Sequence, residues 1–82
     1  MKVYLAICLD RHIDPVIEVF DTKQEAIQYA KDFVRDYACH AEQIQESKVN
    51  GWLYHCDYSS ENDYVYVEEK TVNQLGFARE DK

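Results

Sequence analysis

The stretch TKQEAIQYAKDFVRDYACHAEQI, Thr22 to Ile44, decides the fold. It opens on Thr22-Lys23-Gln24-Glu25, a capping box in which a hydroxyl and a carboxylate three residues apart satisfy amides that a helix start leaves without partners. Downstream, Ala26, Ile27, Ala30, Phe33, Val34, Tyr37, Ala38, Ala41 and Ile44 recur at helical spacing. Gln28, Lys31, Asp32, Arg35 and Asp36 fall on the opposite side, toward water. The pattern predicts one long amphipathic helix from Thr22 to about Ile44. It must stop before Asn50-Gly51, which form turns, and Glu42 to Val49 reads as helix end or loop.

On either side of this helix the period changes from 3.6 to 2. Lys2 to Leu9 alternates, with Val3, Leu5, Ile7 and Leu9 on one face and Tyr4, Ala6 and Cys8 on the other. Asp10 to Pro15 is a polar connection. Pro15 offers no amide donor and suits the start of a strand, so Val16 to Phe20 returns antiparallel to the first strand. After the helix, Trp52 to Tyr58 and Tyr64 to Val72 alternate again across the connection Ser59-Ser60-Glu61-Asn62-Asp63. Trp52, Tyr54, Cys56 and Tyr58 are expected on one face, opposite Leu53, His55 and Asp57. Val65, Val67 and Glu69 oppose Tyr64, Tyr66 and Glu68. The expected fold is α+β, of order ββαββ: a four-stranded, mainly antiparallel sheet with one long helix packed on one face. Residues 1–72 make the single domain and 73–82 a short tail in which Leu75 and Phe77 can dock.

Composition narrows the function classes. The chain has 82 residues, enough for one core. With 46% hydrophobic residues it is too apolar for a disordered chain. Its 16 acidic against 9 basic residues, net charge −7, argue against direct nucleic-acid binding, which draws its nonspecific affinity from Lys and Arg on phosphate. A basic partner is favoured instead. Val3 to Leu9 is too short to span a membrane and lacks a cleavage site behind it, so neither membrane association nor export is expected and the cytoplasm is the default. Three cysteines, Cys8, Cys39 and Cys56, form no even disulfide framework, in keeping with a reducing compartment.

One helix cannot cover both faces of a sheet, and the second hairpin supplies tyrosines and acids for the face left open. Tyr54, Tyr58, Tyr64 and Tyr66 are the expected anchors of a partner-binding surface, since tyrosine offers large amphipathic area at low entropic cost. Asp57, Glu61, Asp63, Glu68 and Glu69 are expected to orient a basic protein. Same-face strand residues recur every ~6.8 Å, close to the phosphate spacing of a nucleic-acid strand, so such carboxylates can imitate a backbone. An inhibitor of a nucleic-acid-handling enzyme is the sharpest form of this reading. A homodimer that stacks two open faces is its structural alternative.

Catalytic and metal chemistry finds less support. The doublets Cys39-His40 and His55-Cys56 lack the spacing that lets two ligands converge on a zinc ion, and adjacent strand residues point to opposite faces. Cys8 or Cys56 with a histidine lacks any local nucleophile signature, and buried thiols serve as small hydrophobes. Two glycines, Gly51 and Gly76, make no phosphate loop. The alternative of a Cys/His metal protein or enzyme therefore stands second to a non-enzymatic module with no cofactor and no metal.

Overall fold

Thr22 sets the helix start as its sequence requires. In a computed structural model, which describes residues 1–72, Thr22 is extended and its hydroxyl oxygen accepts the Glu25 amide at 3.2 Å. The same hydroxyl donates to Glu25 Oε1 at 3.1 Å, so the carboxylate holds the cap rather than reaching back to an amide. Helix α1 runs Lys23–Tyr37 and buries Ala26, Ala30, Phe33 and Val34.

It ends earlier than about Ile44. Ala38 turns extended (φ −71°, ψ 130°) while its amide still donates to the Val34 carbonyl. Length explains the stop: the eight-residue strands beneath span ~26 Å, whereas a helix continued to Ile44 would reach ~33 Å and overrun them. The chain instead makes a short 3-10 turn at Ala41–Gln43 and returns as a strand.

That return adds an element beyond the four expected. The strands are β1 (Lys2–Leu9), β2 (Val16–Phe20), β3 (Gln45–Glu46), β4 (Tyr54–Asp57) and β5 (Tyr64–Thr71). They form one five-stranded antiparallel sheet of order β2-β1-β5-β4-β3, an α+β fold whose element order departs from ββαββ by the short β3. The first and last strands pair in the middle, from Lys2 opposite Thr71 to Leu9 opposite Tyr64. The expected tail, with Leu75 and Phe77, lies outside the described residues. Among those described, no helix is long and apolar enough to cross a membrane.

Small residues decide which sheet face the helix takes. Ala6 and Cys8 of β1 are fully buried, as are Ala26 and Ala30 of α1, so the two backbones approach closely. Val65, Val67, Cys56 and Tyr58 complete this side, with Phe33 and Tyr58 meeting edge to face at 6.2 Å between ring centroids. The larger alternate set, Val3, Leu5, Ile7 and Leu9, is thereby turned to the opposite face.

Trp52 departs from the expected strand. Gly51 is left-handed (φ +93°), and the Trp52 amide donates to the Val49 carbonyl at 3.1 Å, closing a turn. Alternation therefore begins only at Tyr54. Trp52 does not share a face with Tyr54 and Cys56, and its ring lies over Tyr66 instead.

Candidate functional site: the open face of the sheet

Among the described residues no element covers the sheet face opposite α1, and strand register assembles it. Ile7 lies between Ile17 of β2 and Tyr66 of β5, and Tyr66 lies beside His55 of β4. The next row runs Val19, Leu5, Glu68, and the one on the other side Leu9, Tyr64, Asp57. The β2–β1 half is aliphatic, and the β5–β4 half is aromatic. Ile7 is only 7% exposed despite facing away from the helix, because its neighbours shield it, whereas Ile17 and Val19 at the edge are each 59% exposed.

The aromatic half is a ladder of two rings along β5, Tyr64 and Tyr66, with Trp52 packed against both, 6.4 Å from Tyr64. Trp52 stacks on Tyr66 at 3.9 Å and 16°, and Tyr64 lies near-parallel to Tyr66 at 6.1 Å. His55 packs at 5.4 Å from Trp52 and 5.6 Å from Tyr64. Its imidazole is fixed from the far side, where Nδ1 and the Ser47 hydroxyl are 2.8 Å apart. Asp57 Oδ2 stands 3.8 Å from Nε2, beyond hydrogen-bond length. Ser47, His55 and Asp57 thus form a chain of polar groups that sequence spacing did not reveal, and its firm link orients the ring. Burial, then Glu68, raise the Tyr66 phenol above its ordinary pKa.

The nine residues expected at the surface divide among three places. Tyr64, Tyr66, Asp57 and Glu68 share the open face. Tyr54 and Glu69 lie on the helix side: the Tyr54 hydroxyl donates to Glu46 at 2.6 Å beneath the Lys31 ammonium, and Glu69 pairs with Lys2 at 3.0 Å. The remaining three belong to the loop end of the sheet. Glu61 is exposed, 3.8 Å from Arg11, while Tyr58 and Asp63 are buried, at 1% and 3% exposure.

Those last two build a clasp. The Tyr58 hydroxyl donates to Asp10 Oδ2 at 2.6 Å, and Asp63 accepts from the Arg11 amide at 2.8 Å and the Ser59 hydroxyl at 2.9 Å. Asn62 takes the left-handed conformation (φ 69°) that closes the loop over them. Burial alone would raise the Asp10 carboxyl, but the Tyr58 hydroxyl and the His12 amide and ring outweigh it and hold the pKa below the ordinary carboxylate range. Burial and the Asp10 hydrogen bond push Tyr58 the other way, upward. Asp10, His12 and Asp63 bring potential metal-ligand atoms within 4.8 Å of one another. Their carboxylate oxygens are already engaged by the donors just named, so the cluster explains itself as a loop fastening.

The thiols separate as alternation requires. Cys56 faces the helix and His55 the open side. Burial pushes Cys8 up to about 12 and raises Cys56, while Cys39 is exposed.

Sequence reasoning missed Trp52, His55, Ile17 and Val19 as members of this surface. The signal was the unequal size of the two faces of β1: a helix bearing Ala26 and Ala30 selects the small set and leaves the bulky one outside. In comparison with known proteins, the chain matches no family model, no curated protein and no solved structure.

Proposed function

We propose that this protein is a non-enzymatic binding module that docks a basic protein on the open face of its sheet. The observation that supports the reading is the face itself: aliphatic and aromatic side chains from four adjacent strands, with Asp57 and Glu68 set among them. Four strands ~4.8 Å apart, of 8, 5, 8 and 4 residues, offer roughly 400 Å² in plan, about half of a standard patch of about 800 Å² per partner before side-chain relief is added. Apolar groups supply the affinity. Asp57, Glu68 and the net charge of −7 supply steering and register. The five expected carboxylates do not form a row, since Glu68 and Glu69 point to opposite faces and Asp63 is buried, so the geometry favours a protein surface over a phosphate imitation.

Adjacent glutamates give a sharp test. Capture of a partner from native lysate should fail with Glu68→Lys and persist with Glu69→Lys, although the two variants have identical net charge. Equal capture by both would overturn the reading. The non-enzymatic part has its own check: a serine-reactive fluorophosphonate should leave Ser47 unlabelled, and labelling would refute it.

The exposed Ile17 and Val19 also favour a second reading, a homodimer that stacks two open faces. Salt distinguishes the two. Screening should weaken a complex with a basic partner but strengthen association between chains that each carry −7.

A further inference from the structure

We propose that the open face recognises its partner through arginine, with a guanidinium lying against the Trp52–Tyr66–Tyr64 cluster and paired to Glu68 or Asp57. This rests on the reading of that face as a docking surface and names the chemistry it selects.

Three observations converge. First, the rings are half-buried and held near-parallel, 3.9 Å apart at Trp52–Tyr66, so their π systems are fixed before anything binds. Cations are attracted to such rings, tryptophan above all. Secondly, carboxylates stand at both ends of the ladder. Asp57 is the register partner of Tyr64, and Glu68 follows Tyr66 by two residues on the same face, ~6.8 Å along the strand. Trp52 covers one face of Tyr66, so a guanidinium takes the ring faces left free in the cluster, where these carboxylates stand beside it.

Thirdly, among the described residues the basic groups near those acids are loosely placed: His55 Nε2 is 3.8 Å from Asp57, and the exposed Lys48 lines the groove beside the rings. Lys70 is the lysine that shares the face within β5, and its ammonium is 4.0 Å from Glu68 on a 60% exposed side chain. A pair that long and that solvated is weak and readily exchanged. Beside Trp52 and His55 a groove of about 550 Å³ opens toward the Ser47–Leu53 turn, giving room for the stem of an incoming side chain.

Arginine fits this better than lysine. Its guanidinium is planar, so it stacks on a ring while its edge donates two hydrogen bonds to a carboxylate, and it is more weakly hydrated than an ammonium. Lysine can satisfy the charge but not the stack.

Trp52 is the single tryptophan of the chain and reports on the site directly. The test is a fluorescence titration of the full chain with hexa-arginine amide and, separately, hexa-lysine amide, at about 0.15 M salt, where the screening length is about 8 Å. The expected result is saturable change in Trp52 emission with arginine binding tighter by on the order of two- to five-fold, the surplus of a planar guanidinium that stacks and pairs bidentately over an ammonium that is only a point charge. Tyr66→Phe should keep that preference and Tyr66→Leu should reduce it toward unity. Equal affinity for the two peptides, or no saturable response to either, would overturn the arginine assignment on the wild-type protein alone, whatever the variants do. Capture that still separates Glu68→Lys from Glu69→Lys would then leave the docking face standing without the arginine.

Discussion

Removing one oxygen atom from Tyr58 tests whether this residue is a clasp or a partner anchor. Its hydroxyl is 2.6 Å from Asp10 Oδ2, and the side chain is 1% exposed beneath α1. Tyr58→Phe keeps the ring and its edge-to-face contact with Phe33 but deletes the donor. A hydrogen bond to a charged group contributes about 1.5–3 kcal/mol. Asp10 retains the His12 amide at 2.8 Å, which limits how unsatisfied it becomes, so a loss of about 2 kcal/mol is expected. For a domain of this size each kcal/mol shifts Tm by roughly 4–8 °C, giving a fall of about 8–16 °C.

The effect should depend on pH with a defined sign. Asp10 has a depressed pKa in the folded protein, so the stability it contributes is present above its unfolded value, ~3.9, and is lost as pH falls through the lower folded value. The penalty of Tyr58→Phe should shrink over the same range. At the alkaline end Tyr58 has a raised pKa, so its contribution is full below ~10 and is lost as pH rises through the folded value. The assay is thermal unfolding of wild type, Tyr58→Phe, Asp10→Asn and the double variant at pH 7 and near pH 3. Additive effects of the two single changes at pH 7, or a Tyr58→Phe penalty below about 0.5 kcal/mol, would refute the clasp.

Three further outcomes follow from the same geometry. Thr22→Ala removes the acceptor of the Glu25 amide and should cost about 1 kcal/mol in chemical denaturation, against a few tenths for Thr22→Gly. Ile17→Lys, at a position 59% exposed, should leave stability within about 0.5 kcal/mol while abolishing partner capture; a large loss of stability would place Ile17 in a core it does not enter here. Titration with a thiol reagent should modify Cys39 rapidly in the native protein and Cys8 and Cys56 only on unfolding, because burial keeps the latter two protonated as well as shielded.

The parts of the fold that sequence made legible are those with a strong local signal. Alternation located β1, β2 and β5, and the Thr22 cap fixed the helix start. The helix end was not legible, because Ala38, Ala41 and Ile44 continue the helical period after the chain has left the helix. They line a groove with Lys31, Val34 and Tyr54, so their apolar character serves packing in another conformation. Strand β3 has two residues and cannot display a period.

The site was half legible for a related reason. Tyr58, Tyr64 and Tyr66 are chemically alike, and only register separates a buried clasp from two surface rings. Glu68 and Glu69 are neighbours that the pleat sends apart. Trp52 joined the cluster through the left-handed turn at Gly51, which resets the alternation that its sequence position implies.

Isoleucine methyl groups sample both sides of the molecule, Ile7 and Ile17 on the open face and Ile27 and Ile44 on the helix side. Methyl NMR spectra of the protein, free and saturated with its captured partner, therefore show which side of the sheet is bound. Docking on the open face requires the Ile7 and Ile17 resonances to shift or broaden while Ile27 and Ile44 stay in place. Perturbation of Ile27 and Ile44 with Ile7 and Ile17 unmoved would contradict it and transfer the binding surface to the helix.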